Sequence, residues 1–172
     1  PLRYYSDYLF ACSQASGKWL YGAAACQKDN FFILNNAIDI SRFIYNSEKA
    51  VEMKKKLNVE NNFVIGHVGR FHTPKNHSYL IDVFKEIKKR ESTSVLFLVG
   101  DGELRDEIEY KIASLGLNDS VRLLGVRSDV PDLLQAFDVF VMPSLFEGLP
   151  VSVVEAQAAT LPCILSDRIT NE

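Results

Sequence analysis

The sequence predicts an α/β fold organised around a doubly wound parallel sheet. From residue 63 onward, short apolar runs rich in β-branched residues, which are typical of strands buried on both faces, alternate with helical patterns. A length of 172 residues, with 47% apolar and 24% charged residues, fits one soluble domain with flanking material. Such alternation implies parallel β-α-β units, and the commonest Rossmann-like winding gives five strands the order 3-2-1-4-5.

The pattern of the first 60 residues predicts a smaller unit before the regular sheet. Residues 8–13 and 31–34 have the composition of strands, and small residues at 16–25 predict a helix between them. Asn35-Asn36 marks a turn or hinge. A helix is predicted from Ser47 to Leu57 with Ser47 at the N-cap position, and residues 58–62 close it.

Five strands and four helices are predicted in the regular part. The strands are 63–69, 94–100, 121–125, 138–142 and 163–166, and the helices are 76–90, 103–115, 130–137 and 151–159. Asp101 is predicted to cap the second of these helices. The fourth carries Val and Ala almost all round and is therefore predicted to be buried.

Composition excludes several classes of function. The net charge of −3 provides no electrostatic footprint for nucleic acid. No apolar run approaches the ~20 residues of a membrane span, and the basic runs 54–56 and 88–90 are interpreted as solvated helix faces. Cys12, Cys26 and Cys163 lack metal or redox spacing and are interpreted as reduced packing residues of a cytoplasmic protein.

In the order 3-2-1-4-5, the direction of winding reverses between the first and fourth strands. Ligands of such sheets bind at this reversal, outside the carboxyl ends of the strands. The flanking loops are residues 69–75 and 143–148, and both carry unusual residues. We therefore expect the functional site between these two loops.

The first loop carries a glycine and two cations. Gly69 allows backbone to approach a ligand closely, while Arg70 offers a planar fork and Lys75 a point charge. Two cations at one helix start, opposite a second helix start, would clamp a diphosphate and stabilise it as it departs. The alternative interpretation is a solvated turn with a helix cap.

The second loop and its helix carry two carboxylates. Glu147 lies in the turn and Glu155 lies among apolar helix residues, where an unpaired charge would cost several kcal/mol. The N–H groups from Gly148 to Ser152 form an anion site at the helix start. Acceptors beside an anion site indicate a nucleotide or nucleotide sugar. In the alternative interpretation, Glu147 is a helix-start acid and Glu155 belongs to a buried salt bridge.

Three histidines recur every five residues, at His67, His72 and His77. This spacing suits neither one strand face nor one helix face, so no metal site is predicted. His67 is interpreted as a packed or hydrogen-bonded strand residue, and His72 could contact a phosphate. No Asp-x-Asp pair occurs, so a metal-bridged diphosphate is not expected.

Two further turns follow the second and third strands of the sheet. Gly100-Asp101-Gly102 lacks the third glycine of a dinucleotide motif and predicts a tight turn more readily than a ligand contact. The segment from Gly125 to Asp129 could hold a nucleotide base through backbone groups, with Arg127 stacking or pairing. An ordinary polar loop is the alternative.

Two of these motifs together resemble one known family. Glu147-Gly148-Leu149-Pro150, followed after four residues by Glu155-Ala156, resembles the E-x7-E motif of the family 4 retaining glycosyltransferases, the glycogen-synthase-like group of GT-B architecture. Gly69-Arg70 and Lys75 match that family's phosphate-binding positions, and its nucleotide-contacting turns fall at Gly100, Gly102 and Gly125. The resemblance covers about Ser6 to Asp167, and the two motifs are more specific together than alone.

The resemblance implies that the chain is a C-terminal donor domain, one half of a GT-B enzyme, which binds a UDP- or GDP-sugar without a metal or other cofactor. Diphosphate would be bound by Arg70 and Lys75, ribose hydroxyls by Glu155, sugar hydroxyls by Glu147, and the base by the loop after Leu124. The implied catalytic residues are Arg70, Lys75 and Glu147, and the implied donor-binding residues are Gly69, Arg70, Lys75, Gly100, Gly102, Leu124, Gly125, Arg127, Glu147, Gly148, Leu149 and Glu155.

The resemblance also implies domain boundaries. Residues 1–36 would be a remnant of the acceptor domain, 37–60 a linker with the first helix, and 61–172 a donor domain truncated at its C-terminus. Because the chain begins with Pro1 and ends soon after a predicted strand, we expect a fragment. The family's acceptor domain would lie before residue 1 and its closing helices after Asp167, so we expect little or no transferase activity from this chain on its own.

The implied reaction transfers a sugar, with retention at the anomeric carbon, to a polysaccharide or lipid-linked acceptor. The departing phosphate would take the acceptor's proton. We expect this reaction in the cytoplasm, with the intact enzyme peripheral to the inner face of the membrane. Two alternatives are a UDP-sugar 2-epimerase-like enzyme, against which the E-x7-E pattern argues, and a non-catalytic nucleotide-binding module, in which Glu147 has no sugar to contact.

Overall fold

The computed structural model describes residues 5–169, which form two separate parallel sheets. The smaller sheet and its helix are the predicted N-terminal unit: β1 (Leu9–Ala11), α1 (Gln14–Tyr21) and β2 (Phe31–Ile33). Ser13 caps α1, because its hydroxyl accepts the N–H of Ser16 at 3.1 Å. The ends of the predicted domains at residues 1–4 and 170–172 lie outside the described residues.

The larger sheet has five parallel strands in the order β5-β4-β3-β6-β7. These strands are β3 (Val64–Val68), β4 (Val95–Val99), β5 (Val121–Gly125), β6 (Val139–Met142) and β7 (Cys163–Leu165). Counted from β3, this is the predicted order 3-2-1-4-5, so the doubly wound sheet is confirmed. The reversal lies between β3 and β6, whose carboxyl ends therefore open onto one crevice.

Helices connect the strands of the larger sheet and precede it. They are α2 (Ser47–Lys56), α3 (His77–Arg90), α4 (Arg105–Ser114), α5 (Val130–Gln135) and α6 (Val151–Ala158). Two predicted caps are wrong. The side chain of Asn46 rather than Ser47 caps α2, accepting the N–H of Lys49 at 3.0 Å, and α4 begins after Leu104, because Asp101 instead accepts the N–H of the adjacent Gly102 at 2.8 Å.

Apolar side chains cover both faces of the larger sheet. One cluster contains Phe97, Phe140, Met142, Val153 and Ala156, and the other contains Ile65, Phe84, Leu96, Leu98 and Ile108. The prediction that α6 is buried all round is wrong, since only Val153 and Ala156 of α6 are buried. One face of α6 packs on β6 and β7, and the opposite face remains open.

Candidate functional site

The two predicted loops meet at the reversal of the sheet. The N–H of Leu145 donates to the carbonyl of Pro74 at 2.8 Å. The side-chain amide of Asn76, which lies in the left-handed conformation with φ 56° at the start of α3, donates to the carbonyl of Pro143 at 3.2 Å. The expected convergence is therefore present, and it is made by hydrogen bonds between the loops.

Lys75 and Glu147 form an ion pair across this junction. The Nζ of Lys75 lies 2.8 Å from Oε1 of Glu147, and the two side chains are only 14% and 15% exposed. Lys75 ends a short 3₁₀ turn, Thr73–Lys75, that directs its side chain toward β6, where Nζ also lies 3.8 Å from Sδ of Met142. Sequence reasoning assigned both residues separate ligand contacts and did not predict that they pair with each other.

Arg70 points to a different neighbour. Its Nη2 donates to Oε2 of Glu103 at 3.2 Å, and these side chains are 69% and 55% exposed. Glu103 lies in the turn before α4, so the structure pairs Arg70 with the β4 side of the crevice and Lys75 with the β6 side. An ion pair this exposed is weak, so Arg70 is free to reorient toward an anion.

Glycines close the edge of the crevice beyond β4. A Cβ built on Gly100, which has φ +135°, would lie 2.1 Å from the carbonyl oxygen of Gly69, and one on Gly102 would lie 2.4 Å from that of Phe71. Only a residue without a side chain fits either place. The structure thus supports the tight-turn interpretation of Gly100 and Gly102, which bring their own backbone against the loop that carries Arg70.

Backbone hydrogen bonds join the loops that follow β3, β4 and β5. Gly69 N–H donates to Val99 at 2.9 Å, and Gly100 N–H donates to Gly125 at 2.8 Å. Phe71 exchanges bonds with the next turn, donating to Asp101 at 2.9 Å while its carbonyl accepts from Leu104 at 3.1 Å. These bonds continue the hydrogen bonding of the sheet into the loops. They hold the backbone of Gly69 and Arg70 in a fixed position.

The loop after β5 is held by its own ion pair. Arg127 donates through Nε and Nη2 to both carboxylate oxygens of Asp129, at 2.7 and 2.6 Å. This hydrogen bonding raises the pKa of Arg127 and lowers the pKa of Asp129. Leu124 packs against the core and Gly125 turns the chain with φ +68°. Arg127 therefore orders its own loop, and its predicted contact with a base stays a prediction.

Glu155 is a half-buried carboxylate of α6. Burial raises its pKa, and the nearby charge of Arg42 opposes this shift. It has no salt-bridge partner among residues 5–169, which counts against the alternative interpretation of a buried salt bridge. A carboxylate held in this way is better satisfied by hydrogen-bond donors that a ligand brings.

His67 and His77 are buried and touch each other, with ring centroids 4.7 Å apart. The interpretation of His67 as a hydrogen-bonded strand residue is confirmed, since its Nδ1 lies 2.8 Å from the carbonyl oxygen of Val141. The five-residue spacing gave no sign of the contact with His77. In the part of the chain that the structure describes, no three His, Cys, Asp or Glu side chains form a group that could hold a metal, and the absence of a metal from the reaction stays a prediction.

The N-terminal unit also reaches the crevice, which sequence reasoning missed. A cavity of about 660 Å³ is lined by Ala15, Ser16, Trp19, Phe146, Glu147 and Gly148. The hydroxyl of Ser16 would stand 3.4 Å from a Cβ on Gly148, an ordinary contact distance. Within residues 5–169 no helix is long and apolar enough to cross a membrane.

Comparisons with known proteins identify the family of the chain. The family model of glycosyl transferases group 1 matches residues 48–171. The putative glycosyltransferase EpsF of Bacillus subtilis is 42% identical over 165 residues, which are 95% of this chain and 43% of that protein. The UDP-Gal:alpha-D-GlcNAc-diphosphoundecaprenol alpha-1,3-galactosyltransferase of Escherichia coli is 38% identical over 139 residues, covering 78% of this chain and 36% of that protein.

Solved structures give the same result. The crystal structure of Anabaena Alr3699/HepE in complex with UDP and glucose superposes with a TM-score of 0.82 at 28% identity, over 94% of this chain and 45% of that one. The chain therefore spans less than half the length of these three proteins.

Proposed function

The chain belongs to the glycosyl transferases of group 1, and we propose that it is the nucleotide-sugar-binding part of a retaining hexosyltransferase. The observation that carries this proposal is the meeting of Lys75 and Glu147, 2.8 Å apart, from two loops at the reversal of the sheet. One loop brings a cation and the other brings an acceptor beside the start of α6. A diphosphate attached to a sugar is recognised by a cation that binds phosphate and by an acceptor that binds the sugar hydroxyls.

In the proposed complex, Lys75, Arg70 and the first N–H groups of α6 bind the diphosphate. Residues Gly148 and Leu149 bring backbone N–H groups to the same end of the helix, where the dipole favours negative charge. Binding of a UDP- or GDP-sugar would shift Lys75 from Glu147 to phosphate and free Glu147 to accept from sugar hydroxyls. The UDP and glucose bound in Anabaena Alr3699/HepE support this choice of donor.

The remaining contacts to the nucleotide sugar are proposed for residues at the same edge of the sheet, where the strands end. Glu155 would accept from the ribose hydroxyls, whose donors would compensate for the burial that raises its pKa, since it has no salt-bridge partner among residues 5–169. Leu124 and Gly125 end β5 and Arg127 follows it, and these three residues would frame the base. Gly69, Gly100 and Gly102 would act indirectly, since their lack of side chains lets the phosphate-binding loop lie against its neighbour.

The proposed chemistry relies on stabilising the leaving group. As the bond between the anomeric carbon and the diphosphate oxygen breaks, that oxygen gains negative charge beside Lys75, Arg70 and the α6 start, and such preorganised groups are the largest single contribution in many enzymes. The acceptor hydroxyl bonds to the anomeric carbon from the same face, and its proton passes to the departing phosphate. No general base from this chain is required.

We extend the proposal to the intact protein. Its acceptor would be a polysaccharide or a lipid-linked saccharide, which the name of the Escherichia coli relative supports through its diphosphoundecaprenol acceptor. With such an acceptor, the intact enzyme would work in the cytoplasm, peripheral to the inner face of the membrane. Residues 5–36 would belong to the acceptor side, and their separate sheet supports this division. The reaction would need no metal, because Lys75, Arg70 and the helix end already provide positive charge.

The direct test is calorimetric titration with UDP, GDP and their sugars. A nucleoside diphosphate should bind, and Lys75→Ala should weaken binding by about 1.5–3 kcal/mol, roughly ten- to a hundredfold, because a hydrogen bond to a charged group is lost. Lys89→Ala is the matched control, since Lys89 also pairs with a glutamate, at 2.6 Å from Glu86, but on the exposed face of α3. That change should leave affinity unaltered.

The same titration, together with an activity assay of the intact protein, separates the alternatives. If no nucleotide binds, or if Lys75→Ala and Lys89→Ala behave alike, the proposal is wrong. Equal affinity for UDP and every UDP-sugar would favour a non-catalytic module, because Glu147 would then contact no sugar. Conversion of a UDP-sugar into its 2-epimer, rather than transfer or hydrolysis, would favour the epimerase-like alternative. Retained activity in the presence of a strong chelator would support the absence of a metal.

A further inference from the structure

A buried histidine lies directly beneath the lysine of the candidate site. His67 is on β3, is fully buried, and stacks on Phe140 with ring centroids 6.4 Å apart. A Cβ on Gly69 would lie 3.0 Å from Nε2 of His67 and 3.2 Å from Cδ and Cε of Lys75. The imidazole nitrogen of His67 and the end of the Lys75 side chain therefore lie close to each other, on the same side of Gly69.

The tautomer of His67 follows from its other nitrogen. Nδ1 lies 2.8 Å from the carbonyl oxygen of Val141, and a carbonyl only accepts, so Nδ1 carries the hydrogen. Nε2 of the neutral ring is then an acceptor. This nitrogen is buried and has no hydrogen-bond partner among the described residues, although an unused buried acceptor is costly.

We propose that His67 is a positioning residue for Lys75, whose ammonium donates to Nε2 of His67 when it turns from Glu147 to a bound diphosphate. This proposal rests on the proposed function, since it assumes that an anion draws Lys75 away from Glu147. Lys75 has three N–H donors. In the bound state, the diphosphate and His67 would each accept one of them, so the ammonium would be held at a fixed distance from the departing oxygen.

The surroundings keep His67 in the neutral form that this role needs. Burial lowers its pKa to about 4, against the opposing effect of the Val141 hydrogen bond. The charged groups that face it are Lys75, which lowers the pKa further, and Glu147, which raises it. His77 presents its edge to the ring. A proton on Nε2 of His67 would have no hydrogen-bond acceptor among the described residues, and the charged ring would repel Lys75, so the neutral ring suits a lysine that must stay charged.

The test compares an aromatic and an amide substitution of His67 by calorimetry, with UDP as the probe. His67→Phe keeps the ring and removes the acceptor, so UDP affinity should fall about tenfold. His67→Gln places an amide oxygen near the position of Nε2 and should recover most of the loss. His77→Phe is the matched control, because both nitrogens of this equally buried ring lack partners among the described residues. It should leave UDP affinity unchanged.

A double substitution separates positioning from support of the fold. In a Lys75→Met background, His67→Phe should cause no further loss of UDP affinity, because the proposed role acts only through the lysine. A further loss there, an undiminished affinity of His67→Phe alone, or equal losses in His67→Phe and His67→Gln would each overturn the proposal. Wild-type binding of UDP, measured first, tests the proposed function separately.

A spectroscopic measurement keeps the proposal falsifiable if His67→Phe does not fold. In the wild-type chain with ¹⁵N-labelled histidine, the resonance of the unprotonated Nε2 of His67 should move upfield as UDP saturates the site, because this nitrogen gains a donor. The His77 resonances should move little. UDP saturation that leaves the His67 Nε2 resonance in place would show that no donor reaches it, and the positioning role would be wrong.

Discussion

The two sides of the crevice are built in different ways. On the β4 and β5 side, the loops are joined by main-chain hydrogen bonds, and Gly100 and Gly102 allow the backbones to touch. On the β6 side, side chains supply two of the three links between loops: Lys75 to Glu147 and Asn76 to Pro143. The ion pairs on the first side are the exposed Arg70–Glu103 pair, which is weak, and the Arg127–Asp129 pair, which lies within one loop, so main-chain bonds make most of its junctions. The second is held by an ion pair that a charged ligand competes for.

This difference indicates a division of labour. A glycine-sealed backbone junction has one arrangement, because its partners are fixed by the sheet. An ion pair between two side chains has more than one arrangement, because either partner can pair instead with another group of opposite charge. We therefore expect the β4 and β5 side to determine stability and the β6 side to determine ligand response. Four measurements test this expectation.

The largest expected effect comes from breaking the glycine-sealed side. Gly100→Ala should lower the free energy of unfolding by about 2–4 kcal/mol, because the new methyl group would overlap the Gly69 carbonyl at a positive φ. Gly116→Ala is the matched control: Gly116 also has positive φ, +67°, but a Cβ there would meet nothing within 4 Å. It should cost about 1 kcal/mol. Urea denaturation measures both, and equal losses would contradict the close-approach argument.

The second effect is a loss of stability in acid, which arises from the buried histidines His67 and His77 next to the β6 side. Burial lowers the pKa of His67 to about 4 and of His77 to about 3, whereas in the unfolded chain both titrate near 6.5. Below pH 6.5 the unfolded state therefore binds more protons, and stability should fall as pH falls toward 4. The expected loss is on the order of 2 kcal/mol per histidine.

His77→Phe should flatten this pH dependence without changing UDP binding. Urea denaturation of the wild type and the variant at several pH values between 4 and 7 provides the comparison. If the two proteins lost stability in parallel, the acid sensitivity would originate elsewhere in the chain.

The third effect concerns the ion pair itself. Glu147→Gln should strengthen binding of UDP alone by about 1 kcal/mol, because Lys75 is no longer neutralised by a neighbouring charge. The same change should remove most of the extra affinity that a sugar adds to UDP. Glu103→Gln is the control at the exposed Arg70 pair and should change UDP affinity by less than about 1 kcal/mol. Weaker binding of UDP by Glu147→Gln would refute the proposed competition for Lys75.

The smallest effect is expected at Glu155. Its raised pKa means that the folded state holds a proton longer than the unfolded state does, so stability declines as pH rises through the folded-state pKa. Glu155→Gln should remove that decline and raise the free energy of unfolding at pH 7 by about 0.5 kcal/mol or less, while UDP binding weakens. Thermal denaturation at pH 5 and pH 8 is the measurement. A collapse of stability would instead indicate a structural ion pair.

The sheet and the meeting of the two loops could be predicted, because the strand pattern and the reversal of the winding determine both. Doubly buried strands appear as continuous apolar runs, and the reversal rule then selects two loops out of all those present. The contact between Leu145 and Pro74 follows from that choice. Neither the strands nor the choice of loops depends on knowing which side chains contact each other in the folded chain.

The missed features all depend on such neighbours. The spacing argument treated β3 and α3 separately, so it could not show that His67 at a strand end meets His77 at the next helix start. Asp101 resembles a helix cap, but its carboxylate accepts the N–H of the adjacent Gly102, and α4 begins only after Leu104. Lys75 and Glu147 were each assigned to a ligand, although opposite charges brought to one crevice also attract each other.

The main-chain bond between Leu145 and Pro74 has a practical consequence for engineering donor preference. A graft of residues 143–150 from another transferase would bring a new partner for Lys75. It would also have to keep a backbone N–H in the position from which Leu145 donates to the Pro74 carbonyl. A graft of residues 69–76 alone would meet the same requirement from the other direction. Chimeras that exchange both segments as one cassette should therefore fold more often than those that exchange either segment singly.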